Sequence, residues 1–206
     1  FTAKKRRFAI EDAINKKFNT VILDDGFQDH SIQKSLNILC FNSSQLLGNQ
    51  HTIPSGPLRE KLKSIKRSQL ILINGKRNAK FEIKLKKIHN KIKIIYTKYV
   101  PKNLKNFKNK KYLAFAGIGN PKNFFDLLDS FKISTKEKVY FPDHYNYSKS
   151  DINKLIAQAK KKKLKLITTE KDFYRLKKIG YKNIEYLSVE LKIENERLLI
   201  EKLKSL

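Results

Sequence analysis

Five short segments of this 206-residue chain carry residue types at spacings that can do chemistry. Val21-Ile22-Leu23 runs into Asp24-Asp25-Gly26. An apolar strand ending in an acid is how nucleotide-binding α/β proteins present a carboxylate to Mg²⁺ at the carboxyl edge of a sheet, although Asp-Gly also makes a good turn for purely local reasons. Gly48-Asn49 and Pro54-Ser55-Gly56-Pro57-Leu58-Arg59-Glu60 form a loop stiffened by Pro and Gly. Arg59 offers a planar fork for phosphate and Glu60 offers oxygen to a hard cation; the plainer alternative is a rigid connection with an exposed ion pair. Phe141-Pro142-Asp143-His144-Tyr145 sets the side chain best suited to proton transfer near neutral pH beside an acid that can tune or orient it. Taken by itself it reads more simply as a satisfied surface histidine. Thr168-Thr169-Glu170-Lys171-Asp172 can cap a helix and can also hold an anion at its N-terminus. Ala116-Gly117-Ile118-Gly119-Asn120-Pro121 is a strand-to-helix turn like half a dinucleotide fingerprint, without its third Gly.

Elements must hold these segments in place, and short apolar runs alternating with helical patterns predict βα units around a largely parallel sheet. Ile10, Ile14 and Phe18 recur at helical spacing, predicting a helix over 4–18, followed by a buried strand at Thr20–Leu23. Further strands are expected at Leu36–Phe41 and Gln69–Asn74, with a short helix from about Leu58. Residues 76–110 are dominated by Lys, Asn and Ile. Alternation across Lys91–Tyr99 predicts exposed antiparallel β structure there, a hairpin-bearing linker. From Lys111 the rhythm resumes: strands at Tyr112–Ala116, Val139–Phe141, Leu164–Thr168 and Ile184–Val189, with helices at Pro121–Phe131, Lys149–Lys163 and from about Asn195. The expected division is therefore 1–75, a linker at 76–110 and a smaller α/β domain at 111–206.

With 40% hydrophobic and 11% aromatic residues, the chain can bury a core. Its one Cys, Cys40, excludes an intramolecular disulfide and a Cys-based zinc cage, and fits a reducing compartment. The net charge of +27 invites a basic nucleic-acid-binding α/β module without catalytic activity. Only seven of the 46 basic residues are Arg, however, and Arg is the better bidentate reader of phosphate. Lys-rich solvated faces are the plainer reading of most of this charge, and such a surface also suits an anionic membrane, where each nearby Lys adds about 1 kcal/mol of attraction. No apolar run approaches the roughly 18 residues of a spanning helix, so any membrane contact is expected to be peripheral. The opening residues do not read as a signal peptide, and the lack of any Met suggests a fragment or processed product.

Taken together and in order, the five segments resemble the tetraacyldisaccharide 4'-kinase (lipid A 4'-kinase) family. The likeness rests on Asp24-Asp25-Gly26-Phe27-Gln28, Gly48-Asn49 with Pro54 to Glu60, Gly117 to Pro121, Phe141 to His144 and Thr168 to Asp172, and runs essentially from end to end. It implies a P-loop-NTPase-like parallel-sheet domain joined to a smaller α/β domain. The implied activity is transfer of the ATP γ-phosphoryl group to the 4'-hydroxyl of a tetraacyldisaccharide 1-phosphate, at the cytoplasmic face of the bacterial inner membrane, with no nucleic-acid partner. Asp24 and Asp25 would be the acidic pair serving Mg²⁺ and the phosphates, Glu60 would lie near Mg²⁺, Arg59 beside the phosphates, and His144 in an acid/base dyad. Where many members have His after Asp-Asp-Gly-Phe-Gln, this chain has Asp29 and then His30, and the usual Gly-Asn-Gly is Gly48-Asn49-Gln50. A P-loop needs Gly-x-x-x-x-Gly-Lys-Ser/Thr. The only Gly-Lys is Gly75-Lys76, with Leu70 at the first Gly position and Arg77 at the Ser/Thr position. The family carries its P-loop, and the Asp that pairs with the catalytic His, upstream of the acidic strand. The chain is thus expected to begin after both and to be inactive by itself.

Overall fold

A strand covered on both faces requires an unbroken apolar run, and Leu70-Ile71-Leu72-Ile73 supplies one. In a computed structural model of the chain, which describes residues 2–205, this run is strand β2 (Leu70–Asn74), with Leu70, Ile71 and Ile73 fully buried. It is preceded by helix α1 (Arg6–Asn15), strand β1 (Ile38–Asn42) and a 3₁₀ helix (Leu62–Arg67), and followed by α2 (Ala79–Ile88) and β3 (Lys93–Pro101). β2 pairs in parallel with β1, Ile38 opposite Leu70, and with β3, Leu70 opposite Lys93. Ile71 and Ile73 pack with Ile65 of the 3₁₀ helix and with Phe81 and Leu85 of α2. Asn78 caps α2, its side chain accepting from Phe81 N.

The remaining elements are a 3₁₀ helix (Leu104–Phe107), β4 (Tyr112–Ala116), α3 (Pro121–Ser130), β5 (Thr135–Tyr140), α4 (Lys149–Lys161), β6 (Lys165–Thr169), α5 (Glu170–Lys178), β7 (Glu185–Leu187), β8 (Val189–Ile193) and α6 (Glu196–Lys204). Of these, β4 to β7 build a second parallel sheet, in the order β5-β4-β6-β7. Every residue of β4 is buried. Its alternate side chains supply two cores: Tyr112, Ala114 and Ala116 pack with Phe124, Phe125 and Leu128 of α3, while Leu113 and Phe115 pack with Ile152 and Leu155 of α4 and Leu176 of α5.

The chain divides into one unit of Phe1–Lys98 with Ile193–Leu206 and a second of Tyr99–Lys192, in place of the expected boundaries at 75, 110 and 206. Several other expectations change with it. The segment 76–110 holds α2 and a strand, β3, that joins the first sheet in parallel. Its antiparallel partner is β8, about 90 residues on, with Glu194 N donating to Tyr96 O and Lys102 N to Ser188 O. A strand forms there, but it is not the exposed one expected: Ile95, Tyr96 and Thr97 are buried in succession, and since period-2 patterning does not name a partner, no local hairpin forms. Ile184–Val189 splits into β7 and β8, which belong to different sheets, and the last helix lies in the first unit. The short helix expected from Leu58 is the 3₁₀ helix starting at Leu62.

The buried strand expected at Thr20–Leu23 does not form. Among the described residues no strand pairs with it, and a strand without a neighbour leaves its backbone groups to water. Ile22 is 91% exposed, and α1, ending at Asn15 rather than 18, leaves Phe8 and Ile14 exposed as well.

Candidate functional site

In the first unit, Asp24 and Asp25 occupy a turn, with Asp25 at φ 50°, a left-handed position that Asp tolerates. Arg6 fastens this turn: its Nη2 donates to the carbonyls of Asp24 at 3.0 Å and Asp25 at 3.3 Å, and its Nη1 meets Asp29 Oδ2 at 3.3 Å. Asp29 also accepts from the backbone and hydroxyl of Ser31, and these bonds hold its carboxyl below the usual range. Asp29, standing where the family usually has His, therefore organises the turn.

The second loop has a clear construction. Asn49 Nδ2 donates to Ser55 O at 2.7 Å while its Oδ1 accepts from His51 N at 3.1 Å, so one amide staples both sides. Gly56 N donates to Thr52 O, and Ile53 N to Leu58 O. A Cβ on Gly56 would lie 2.1 Å from Asn49 Oδ1 and 2.4 Å from His51 O; only glycine fits here. The loop closes on itself and delivers Arg59 and Glu60 at its exit.

Two contacts tie these motifs together. Arg59 Nη2 reaches Asp25 Oδ2 at 3.1 Å, both side chains more than half exposed. Arg67 Nη2 bridges the two oxygens of Glu60 at 2.9 and 2.7 Å, and its guanidinium lies 4.6 Å from the centre of the Phe27 ring. Phe27, Gln28, Phe41, Leu58, Arg59 and Glu60 line an open cleft of about 270 Å³. Arg6 and Arg67 carried no sequence signal of a role; Arg67 comes within reach of Glu60 through the turn of the 3₁₀ helix. Gly75 N is taken by Thr97 O and Lys76 N by Ser43 Oγ, so the one Gly-Lys pair is a strand-end connection and not a phosphate cradle. Among the described residues no three His, Cys, Asp or Glu side chains converge as a metal site.

In the second unit the three remaining motifs meet one another. The parallel pairing of β4 with β6 sets Gly117 beside the start of α5. Asp172, fully buried, accepts from Gly117 N and Thr169 Oγ1, both at 2.9 Å, and its own N–H donates back to Thr169 Oγ1. Arg175 Nη1 lies 3.3 Å from Gly117 O and 3.4 Å from Asp172 Oδ1, and its Nη2 lies 3.0 Å from His144 Nδ1. His144 sits at φ 56°, with its N–H donating to Asp143 Oδ1 at 2.8 Å. The capping reading of 168–172 thus holds for Thr169, while Asp172 goes further and holds the Gly117 turn. Arg175 was missed because its partners lie 31 and 58 residues away. Beneath Gly117 lies the buried Tyr147 hydroxyl; burial, and after it the nearby Asp172 charge, push its ionisation far up. A Cβ at Gly117 would come within 2.7 Å of it.

The whole chain, residues 1–206, matches the family described as tetraacyldisaccharide-1-P 4'-kinase. A tetraacyldisaccharide 4'-kinase of Pelagibacter ubique is 40% identical over 98% of this chain, and one of Rickettsia akari is 38% identical over 91%. The chain spans 66% and 57% of those two relatives' lengths. A crystal structure of LpxK from Aquifex aeolicus, described as an "apo" form in complex with ATP, superposes with a TM-score of 0.59 at 25% identity, covering 87% of this chain and 55% of that one.

Proposed function

Because the chain belongs to the tetraacyldisaccharide-1-P 4'-kinase family, we propose that it serves transfer of the ATP γ-phosphoryl group to the 4'-hydroxyl of a tetraacyldisaccharide 1-phosphate, a step of lipid A synthesis. The observation that carries this reading is the match of all 206 residues to one family. The geometry supports it: Asp25 and Arg59, 34 positions apart, are held at 3.1 Å beside Glu60. Phosphoryl transfer asks a protein mainly for positioning and charge neutralisation. Arg59 supplies a fork for phosphate oxygens, and Asp25 aims it. Asp24 and Glu60 are hard oxygen donors of the kind Mg²⁺ takes one or two at a time, completing its shell with water and phosphate; bound there, the ion would offset charge on the phosphates. His144 is one member of the acid/base dyad that serves the acceptor hydroxyl. The nucleic-acid alternative is not favoured, since no part of the chain falls outside the kinase family match.

No helix among the described residues is long and apolar enough to cross a membrane. We propose peripheral contact with the anionic cytoplasmic face of the inner membrane, supported by exposed Phe8 and Ile14, which follow Lys4, Lys5 and Arg7 in sequence, and by exposed Ile22.

The deciding experiment measures ATP-dependent phosphorylation of the tetraacyldisaccharide 1-phosphate by the natural gene product carrying these residues. Arg59→Ala, Glu60→Gln and His144→Gln are each expected to lower turnover by about 10²-fold or more, while the 206 residues alone, holding no P-loop motif, are expected to transfer none. Full turnover in all three variants would remove the assignment.

A further inference from the structure

His144 meets a partner that can only donate. A guanidinium carries N–H groups and no acceptor, so Arg175 Nη2 at 3.0 Å from Nδ1 requires that nitrogen to present its lone pair. The neutral ring must then carry its proton on Nε2. The Asp143 carboxylate does not compete for that proton, lying 3.9 Å from Nε2, beyond hydrogen-bond reach. Arg175 is itself well held: its other terminal nitrogen faces the Gly117 carbonyl and Asp172, and Asp172 is locked by Gly117 N and Thr169. The side chains grade from Asp172, wholly buried, through Arg175, 29% exposed, to His144, 68% exposed. A rigid interior anchor thus reaches through one guanidinium to an exposed imidazole.

We propose that Arg175 is a positioning residue that fixes His144 as its Nε2–H tautomer, so that His144 presents a hydrogen-bond donor, and not a basic nitrogen, to whatever approaches its open edge. The proton that leaves the acceptor hydroxyl is then taken by a carboxylate, the other member of the acid/base dyad, while His144 donates through Nε2 to an oxygen that gains charge. The tautomer assignment stands on local geometry alone; its consequence for phosphoryl transfer rests on the kinase reading above.

The test reads the ring directly. Long-range ¹H–¹⁵N spectra of the ¹⁵N-labelled protein are recorded above the ordinary imidazole pKa of about 6.5, with His144 assigned by its loss in His144→Gln. The expected pattern is protonated Nε2 and unprotonated Nδ1. Arg175→Met should give a mixture of tautomers, and Arg175→Lys, which keeps a donor, should restore much of the wild-type pattern. A wild-type ring with its proton on Nδ1 or shared between both nitrogens overturns the proposal, and so does an Arg175→Met spectrum identical to wild type. In the kinase assay, Arg175→Met should lower kcat tenfold or more with KM little changed. Absence of any transfer by the unsubstituted natural gene product would sink the kinase reading and leave the tautomer result standing.

Discussion

The two units hold their motif residues in opposite ways. In the second, Gly117, His144, Asp172 and Arg175 are joined by hydrogen bonds that converge on a carboxylate with no exposure at all. In the first, Asp25 and Arg59 form a single pair with side chains 69% and 55% exposed, on a turn that no strand leads into. The reason lies in what precedes each motif. β4 and β6 are paired and covered, so the residues just past their carboxyl ends inherit fixed positions. Thr20–Leu23 has the composition of such a strand without a paired neighbour among the described residues, and the acids after it depend on Arg6 and Arg59. An acidic turn is only as well placed as the sheet edge that carries it.

The sharpest way to break this contrast is Asp172→Ala. Removing one partner of a buried charge pair costs about 3–5 kcal/mol, and here it also strips Gly117 N and Thr169 of their acceptor. Urea unfolding with hydrogen exchange should show the amides of β4 and β6 losing protection while those of β2 keep theirs; equal loss in both sheets would mean the two units are not distinguishable in stability. Next in size is Gly56→Ala in the first unit. Its Cβ forces backbone and Asn49 apart, an overpacking of about 1–3 kcal/mol, and protection should fall in residues 49–58. A silent substitution would show that the loop has slack and that Arg59 and Glu60 are not held by it. The smallest effect is expected for Phe8→Ser with Ile22→Ser. Both side chains are already exposed, so stability should move by no more than about 0.5 kcal/mol. Sedimentation with phosphatidylglycerol vesicles should nevertheless drop relative to the unsubstituted protein, with little binding to phosphatidylcholine in either case. Unchanged sedimentation would separate the exposed apolar side chains from membrane contact.

Much of the fold is legible in short-range pattern. Tyr112–Ala116 is a strand as expected to the residue, since five apolar positions before a Gly turn leave few alternatives, and Pro121 at the first turn fixes the start of α3. Asn49 and Gly56 could be singled out as loop residues, but the staple and the 2.1 Å approach that make them necessary depend on folding the loop back on itself. The pairing of β3 with β8 was illegible for a similar reason: a period-2 pattern marks a strand, and says nothing about a partner 90 or so residues away, nor that Ile95, Tyr96 and Thr97 would all be covered.

Local chemistry in the amino-acid order determined the α/β class, the five motifs and the family they belong to, because residue type, turn propensity and periodicity act over a few positions. Tertiary structure alone decided which charges of the motifs face each other. Arg67 comes to Glu60 through a 3₁₀ turn, and Arg175 comes to His144 because the packing of the second unit brings together residues 31 apart. Hydrogen bonds act over about 3 Å, a distance that spacing along the chain does not encode once the chain folds back on itself.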